Sequence, residues 1–425
     1  MNNRRKLVST VAELLAAAGD SHIEEIVVTA DLSEVPTFSL SAGQTLSSPP
    51  NQRFRLAFAK TVDGVRLVSD NSLLSLDLRT SPEKRAVWND WTVPALGRLT
   101  LKSLNVVGRV QILARDGVRS GHLEVNALDI LAADSRLEQE RPLGYGVSVI
   151  QGAFTLWNMQ LDPAVVISAD LTSISVGRFG SPVLGSGVLV GGAGNEGGRL
   201  NVQHLETGGV YNDGRIAAGT PDQISGGVFI VYGAHVELVT NQGPVMTDGA
   251  NDMALDNWGH VDRWVTKEKI TTRGPSGIGF VNFGQIDELV VGSPIETFGP
   301  GARGFNVYDG TVERANFDRI VTHADGAVGI QIARPIGTLT VRRGIETFGG
   351  AGPSLVKGVV QNLSAIGLSI KPGGSAKRIA IDGGLKTHGD GIPPIEQLGT
   401  IEDLRIRGGF GIVADGAATA GKSGA

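Results

Sequence analysis

The chain has 425 residues, 41% of them hydrophobic but only 5% aromatic, and a formal net charge of −5. That balance, with no basic stripe, argues against a nucleic-acid partner, and no segment approaches the roughly 18 consecutive apolar residues of a membrane span. The absence of cysteine excludes disulfides and thiolate metal sites and leaves the redox compartment open.

Met1 to Lys6 is basic, and Leu7 to Ala18 is largely apolar. Glu13 interrupts the outline of a secretion signal, so the pattern predicts an amphipathic capping helix over residues 1–20, with Leu7, Val8, Val11, Leu14 and Leu15 on one face. On this reading the protein is cytoplasmic; cleavage of residues 1–18 as a signal would make it secreted. An open end of stacked strands exposes unpaired backbone groups, which a lid of this kind covers.

In the N-terminal half, Gly146-Val147, Gly187-Val188 and Gly227-Val228 mark equivalent positions spaced by 41 and 40 residues. Further along, Val245, Ile270, Ile295, Ile320, Ile345 and Ile370 recur every 25 residues. Thr247, Thr272, Thr297, Thr322 and Thr347 keep the same step, as do Leu255, Phe280, Phe305, Ile330 and Leu355. A fixed period of this kind marks a stacked solenoid. Each unit alternates apolar and polar at period two and is broken by glycine, as in Gly279 to Gly284 and Gln285 to Val291, which is strand chemistry. Gly249, Gly274, Gly299 and Gly349 fall where corners require positive φ or close backbone approach.

The predicted fold is all-β: a right-handed parallel β-helix with coils of about 25 residues, occupying residues 21–413 as a single domain. Residues 414–425 form a small, polar tail. The longer N-terminal spacing implies insertions of about fifteen residues per coil, placed near 191–198 and 208–221, as walls of a groove.

Residues one period apart become vertical neighbours about 4.8 Å apart. With the Leu255 column inward, Trp258, Phe283 and Tyr308 form an outward aromatic strip beside Asp256, Asn306 and Gln331. Aromatic faces flanked by amides and carboxylates suit sugar rings; a mutual stack beneath a covering loop is the structural alternative. Across the corner, Glu296 and Glu346 stand two coils apart, about 9 to 10 Å, with His323 between them. That separation is near the upper end for an inverting pair of carboxylates, although the ring of His323 would also fit simply between Phe298 and Phe348. The corner holding Asp248, Asn251, Asp252 and Asp256 is the densest Asp and Asn cluster in the chain, and Arg273 and Arg303 follow one and two coils later. A carboxylate, a cation and an aromatic wall suffice for acid–base cleavage, whereas Asp and Asn at corners equally serve turns. Asn257 and Asn282 face inward as an amide ladder.

The repeat pattern over residues 50 to 410 resembles the pectate-lyase-like superfamily of right-handed parallel β-helices. Its Asn-Thr-Asp, Gly-His-Gly and Asp-Pro-His-Asp signatures and its arginine-bearing Ca²⁺ site are not present as such, so no catalytic residue carries over. What the resemblance implies is chemistry on a poly- or oligosaccharide. The expected function is therefore a carbohydrate-active enzyme, a glycoside hydrolase, polysaccharide lyase or glycan-transferase-like protein, working by carboxylate acid–base chemistry without a cofactor or obligatory metal. Its candidate catalytic groups are Asp248, Asp252, Asp256, Glu296, His323 and Glu346; Asn251, Trp258, Arg273, Phe283, Arg303, Asn306, Tyr308 and Gln331 would bind substrate. The alternative is a non-catalytic glycan-binding or structural β-helix, adhesin-like or tail-spike-like, the latter as a homo-oligomer.

Overall fold

The computed structural model describes residues 4–413. Strands succeed one another around an axis and pair in parallel with their counterparts one coil away, the arrangement of a parallel β-helix. One coil runs through Ala234–Asn241, Val245–Thr247 and Asp252–Asn257, and the next through His260–Thr266, Ile270–Thr272 and Ile278–Asn282. Each coil thus has a long first face, a short second face and a third face.

Register explains the columns. Val245, Ile270, Ile295, Ile320 and Ile345 stand in successive pairings on the second face, and Leu255, Phe280, Phe305 and Ile330 do so on the third. All of these side chains are at most 1% exposed and belong to one continuous core. The threonine column is equally buried. Close approach, not positive φ, fixes the corner glycines: a Cβ on Gly274 would lie 1.8 Å from the carbonyl oxygen of Gly249.

Two columns end sooner than the spacing predicts. Ile345 lies beside Leu385 and Ile330 beside Leu368, because an antiparallel hairpin, Ala351–Val356 with Val359–Ser364, is inserted between second and third faces. Leu355 therefore sits on the hairpin, and Ile370 pairs with Ile332 on the third face. Its 25-residue distance from Ile345 is coincidental.

The N-terminal cap also differs in detail. Arg5–Val8 is a strand paired with Glu25–Val28, so Leu7 and Val8 are not helical. The helix is Val11–Ala18, opened by a reciprocal cap in which Thr10 accepts from the backbone N–H of Glu13 while the Glu13 carboxylate accepts from that of Thr10. Leu14, Ala17 and Ala18 are buried. The Gln44 amide closes the far end, donating to the carbonyls of Ala17, Asp20 and Ile23 at 3.1, 2.9 and 3.0 Å. Among the described residues, no helix is long and apolar enough to cross a membrane. Of the expected insertions, residues 192–198 do form a loop between the strands Ser186–Gly191 and Arg199–Asp213, whereas residues 208–213 continue the latter strand and the second loop begins only after it. The tail expected over residues 414–425 lies outside the described residues.

Candidate ligand-binding site

On the third face, alternation with the inward Leu255 and Phe280 turns Asp256 and Val281 away from the core, and Met253 and Ile278, where the alternation breaks at the start of each strand, join them on the outer side. Three insertions fold over that outer side. The first is a short hairpin, Leu143–Gly144 with Val147–Val149, whose second strand also pairs with Gln223–Ile230. The second is the loop 214–222, tied down by Asn251, whose amide donates to the Thr220 carbonyl at 2.8 Å. The third is the hairpin 351–364. Together they enclose a cavity of about 240 Å³.

Aromatic rings make its walls. Tyr145 packs 4.4 Å from Phe283 and 5.2 Å from Trp258, ring centre to ring centre, and Phe283 lies 5.3 Å from Tyr308. Trp258 is only 3% exposed, enclosed also by Phe229 and Tyr232. Of the two readings of Trp258, Phe283 and Tyr308, the structure has the mutual stack beneath a covering segment and not the open strip, since the insertions occupy its outer side.

Asp256 lines this cavity and is fully buried. Neither carboxyl oxygen makes a hydrogen bond of normal geometry among the described residues, although the indole N–H of Trp258 and the backbone N–H of Asn257 lie near enough to favour its charged form slightly. Burial pushes the Asp256 carboxyl well above its ordinary 3.8, and the nearby Trp258 N–H only partly counters this. Burial thus favours the protonated form of this side chain, which has an O–H to donate and an oxygen to accept.

Other predicted residues hold the enclosure together. The fully buried Asp252 accepts from the Ser225 hydroxyl and from the backbone N–H groups of Gly214 and Gly249, the latter two at 3.1 and 2.8 Å. Burial pushes its carboxyl up to about 7, against the lowering effect of those bonds. Arg303, also fully buried, donates to the Ser354 hydroxyl at 2.8 Å and so pins the third insertion. Gln331 donates to the Asn306 carbonyl oxygen at 3.2 Å on the buried neighbouring ladder. Arg303, Asn306, Gln331 and Asp252 were expected on an open surface; the hairpin and loop cover them. Asn257 donates to Asn282 at 2.9 Å inside the coil, as the inward phase requires.

The second-face cluster is separate. His323 meets Glu296 at 2.8 Å and Lys269 pairs with the same carboxylate, whereas Glu346 is held by His388 at 2.9 Å and Arg319 at 2.6 Å. His323 therefore does not bridge the two glutamates, because the inserted hairpin brings His388 into the next coil. Burial raises both carboxyls, but the hydrogen bonds from Lys269 and His323 to Glu296, and from His388 and Arg319 to Glu346, more than offset it and hold them below the usual range. Phe298, His323, Phe348 and His388 stack nearly parallel, with centres 4.6, 5.4 and 4.2 Å apart. Rings stacked on one another present edges, not faces, to solvent, so they give a sugar no platform. Asp248 pairs with Arg273 at 3.2 Å, one coil apart as the register predicts.

Tyr145, Ser276, Asp309, Leu355 and Lys357 line the cavity without having been picked out as site residues by the repeat. One signal was available: Lys357-Gly358 between Leu355-Val356 and Val359-Val360 is a two-residue hairpin turn, and both its residues adopt positive φ, 49° and 78°. No protein-family model, curated protein or solved structure matches the chain.

Proposed function

We propose that the protein is a binding β-helix that takes a small cyclic molecule, about the size of one sugar ring, into the covered cavity above Asp256. The observation that carries this reading is the carboxyl itself: fully buried, facing an aromatic cavity, with neither oxygen in a hydrogen bond of normal geometry among the described residues. An unpaired buried polar group costs about 1 to 3 kcal/mol, and a ligand group that bonds it would recover that cost on binding. The largely apolar lining of Tyr145, Val147, Ile278, Val281, Phe283 and Leu355 would take the flat face of the ligand. Lys357 adds a cation within reach of the rim, 5.5 Å from the centre of the Tyr308 ring.

A second reading rests on the same group. A carboxylic acid whose pKa is raised by burial suits a proton donor in glycoside cleavage, and the likeness to pectate-lyase-like β-helices favours a saccharide as its substrate. The second-face glutamates enter neither reading, since both are already neutralised by cations.

The test is a screen of monosaccharides, short oligosaccharides and small aromatic compounds by native mass spectrometry, followed by assays for new reducing ends. A ligand retained by the wild-type chain and lost in Asp256→Leu supports the binding reading, and turnover lost in the same variant supports the second. Ligands that bind equally well to Asp256→Leu would refute both.

A further inference from the structure

On the outer side of the first face, away from the cavity, two histidines and a row of carboxylates stand on adjacent coils. His235 and His260 are register partners, and their rings stack at 4.7 Å with 18° between planes. Glu237, Asp262 and Asp287 each come two residues later in successive strands, which places them on the same face as the histidine column. The two imidazoles and the Asp262 carboxylate bring one ligand atom each within 4.8 Å of one another.

The hydrogen bonding is incomplete in a way that points to an ion. His235 Nε2 meets Asp262 Oδ1 at 2.7 Å. His260 Nε2 lies 3.5 Å from the same oxygen and 3.7 Å from Asp287 Oδ1, too far for a normal bond. That nitrogen is shielded from solvent and has no hydrogen-bond partner among the described residues. A buried ring nitrogen aimed between two carboxylates, in a column of like charges one coil apart, is an arrangement a cation would complete.

We propose that His235, His260 and Asp262, with Asp287 as fourth ligand, bind a divalent transition ion of the zinc class. Imidazole with carboxylate suits zinc, copper or nickel better than calcium or magnesium, which prefer oxygen alone. Tetrahedral zinc sets its ligand atoms roughly 3.3 Å apart, so the three side chains would draw together on the ion, with Asp287, whose Oδ1 lies 3.7 Å from His260 Nε2, following them. Because the ligands come from adjacent coils, the ion would clamp the stack where the Tyr145 hairpin leans on the corner at Trp258. Each imidazole must be deprotonated to coordinate, so affinity falls in acid.

The experiment uses the untagged full chain. Zinc is titrated calorimetrically, and copper(II) is followed by electron paramagnetic resonance for nitrogen hyperfine coupling. One ion per chain is expected, with coupling to two nitrogens and affinity reduced at least about tenfold in His260→Ala, His235→Gln and Asp262→Asn. His122→Ala, on another part of the first face, should bind as wild type. The proposal fails if the wild-type chain binds neither ion, or if the His260 and His235 variants bind as the wild type does, which would mean an adventitious ion only.

Discussion

Gly304 faces Ile320 across the narrow inside of the coil, and a Cβ added to the glycine would lie 2.3 Å from the isoleucine Cγ2 and 2.6 Å from the Gly329 carbonyl oxygen. Gly279 with Ile295 and Gly329 with Ile345 repeat the contact at 2.3 and 2.6 Å. Each pairing fits a bulky second-face residue into the space its third-face glycine leaves, so the column sets the width of the solenoid. Gly304→Ala must push apart both a core side chain and a neighbouring backbone, and overpacking of this kind costs about 1 to 3 kcal/mol. A lowered midpoint in urea unfolding is the expected result; an unchanged one would mean that the coil widens freely.

This contact also shows why the coils were legible and the lid was not. In a parallel ladder each position meets its own equivalent, so Ile295 and Ile320, or Thr297 and Thr322, repeat in the sequence because they touch in space. Period two tells which side of a strand a residue occupies; it does not tell whether that side is open. Trp258 and Asp256 do point away from the core, yet both are buried, because residues from the Tyr145 hairpin and the 351–364 hairpin cover them. Insertions have no counterpart one period away and leave no column. They also shift the phase of every later coil, which is how Ile370 came to imitate a member of the Ile345 column and why His388, not His323, meets Glu346.

Asp252 makes stability depend on pH. Its carboxyl is raised from 3.8 to about 7 by burial, so the folded state holds a proton that the unfolded chain releases near pH 4. The stability linked to that proton is fully present below about pH 4 and is lost as pH rises through about 7. The whole span corresponds to roughly 4 kcal/mol. In Asp252→Asn the amide oxygen can still accept from Gly214 and Gly249, and its N–H₂ can donate to Ser225. Urea unfolding from pH 4 to 9 should therefore show the wild type declining relative to this variant. Parallel curves would contradict the assignment.

The Arg303 to Ser354 bond links the third face to the hairpin above it, and Ser276 holds the same hairpin by accepting from the Leu355 backbone N–H at 3.0 Å. A hydrogen bond from a charged donor contributes about 1.5 to 3 kcal/mol. Ser354→Ala leaves the buried guanidinium short of that partner, so the hairpin should open more often than the coils beneath it. Hydrogen exchange at residues 351–364 should accelerate by roughly tenfold or more, while amides of Phe280 and Phe305 keep their protection. Uniform acceleration would show that the hairpin and the coils open as one unit.

Asp256 separates a residue kept for binding from one kept for folding. Its carboxyl is buried without a hydrogen bond of normal geometry among the described residues, and burial pushes its pKa well above 3.8, so it costs stability in the free protein. Leucine has a similar reach and no polar atoms, and Met253, Ile278 and Val281 already supply apolar surroundings. Asp256→Leu should therefore raise the unfolding free energy by about 1 to 3 kcal/mol. The gain should grow as pH rises above about 4, where the unfolded wild-type chain releases a proton that the folded one retains. A stabilised variant that no longer holds the ligand would mark Asp256 as a group the fold tolerates at a cost for the sake of binding. Loss of stability in both Asp256→Leu and Asp256→Asn would instead make the carboxyl a structural element and remove the main support for a ligand above it.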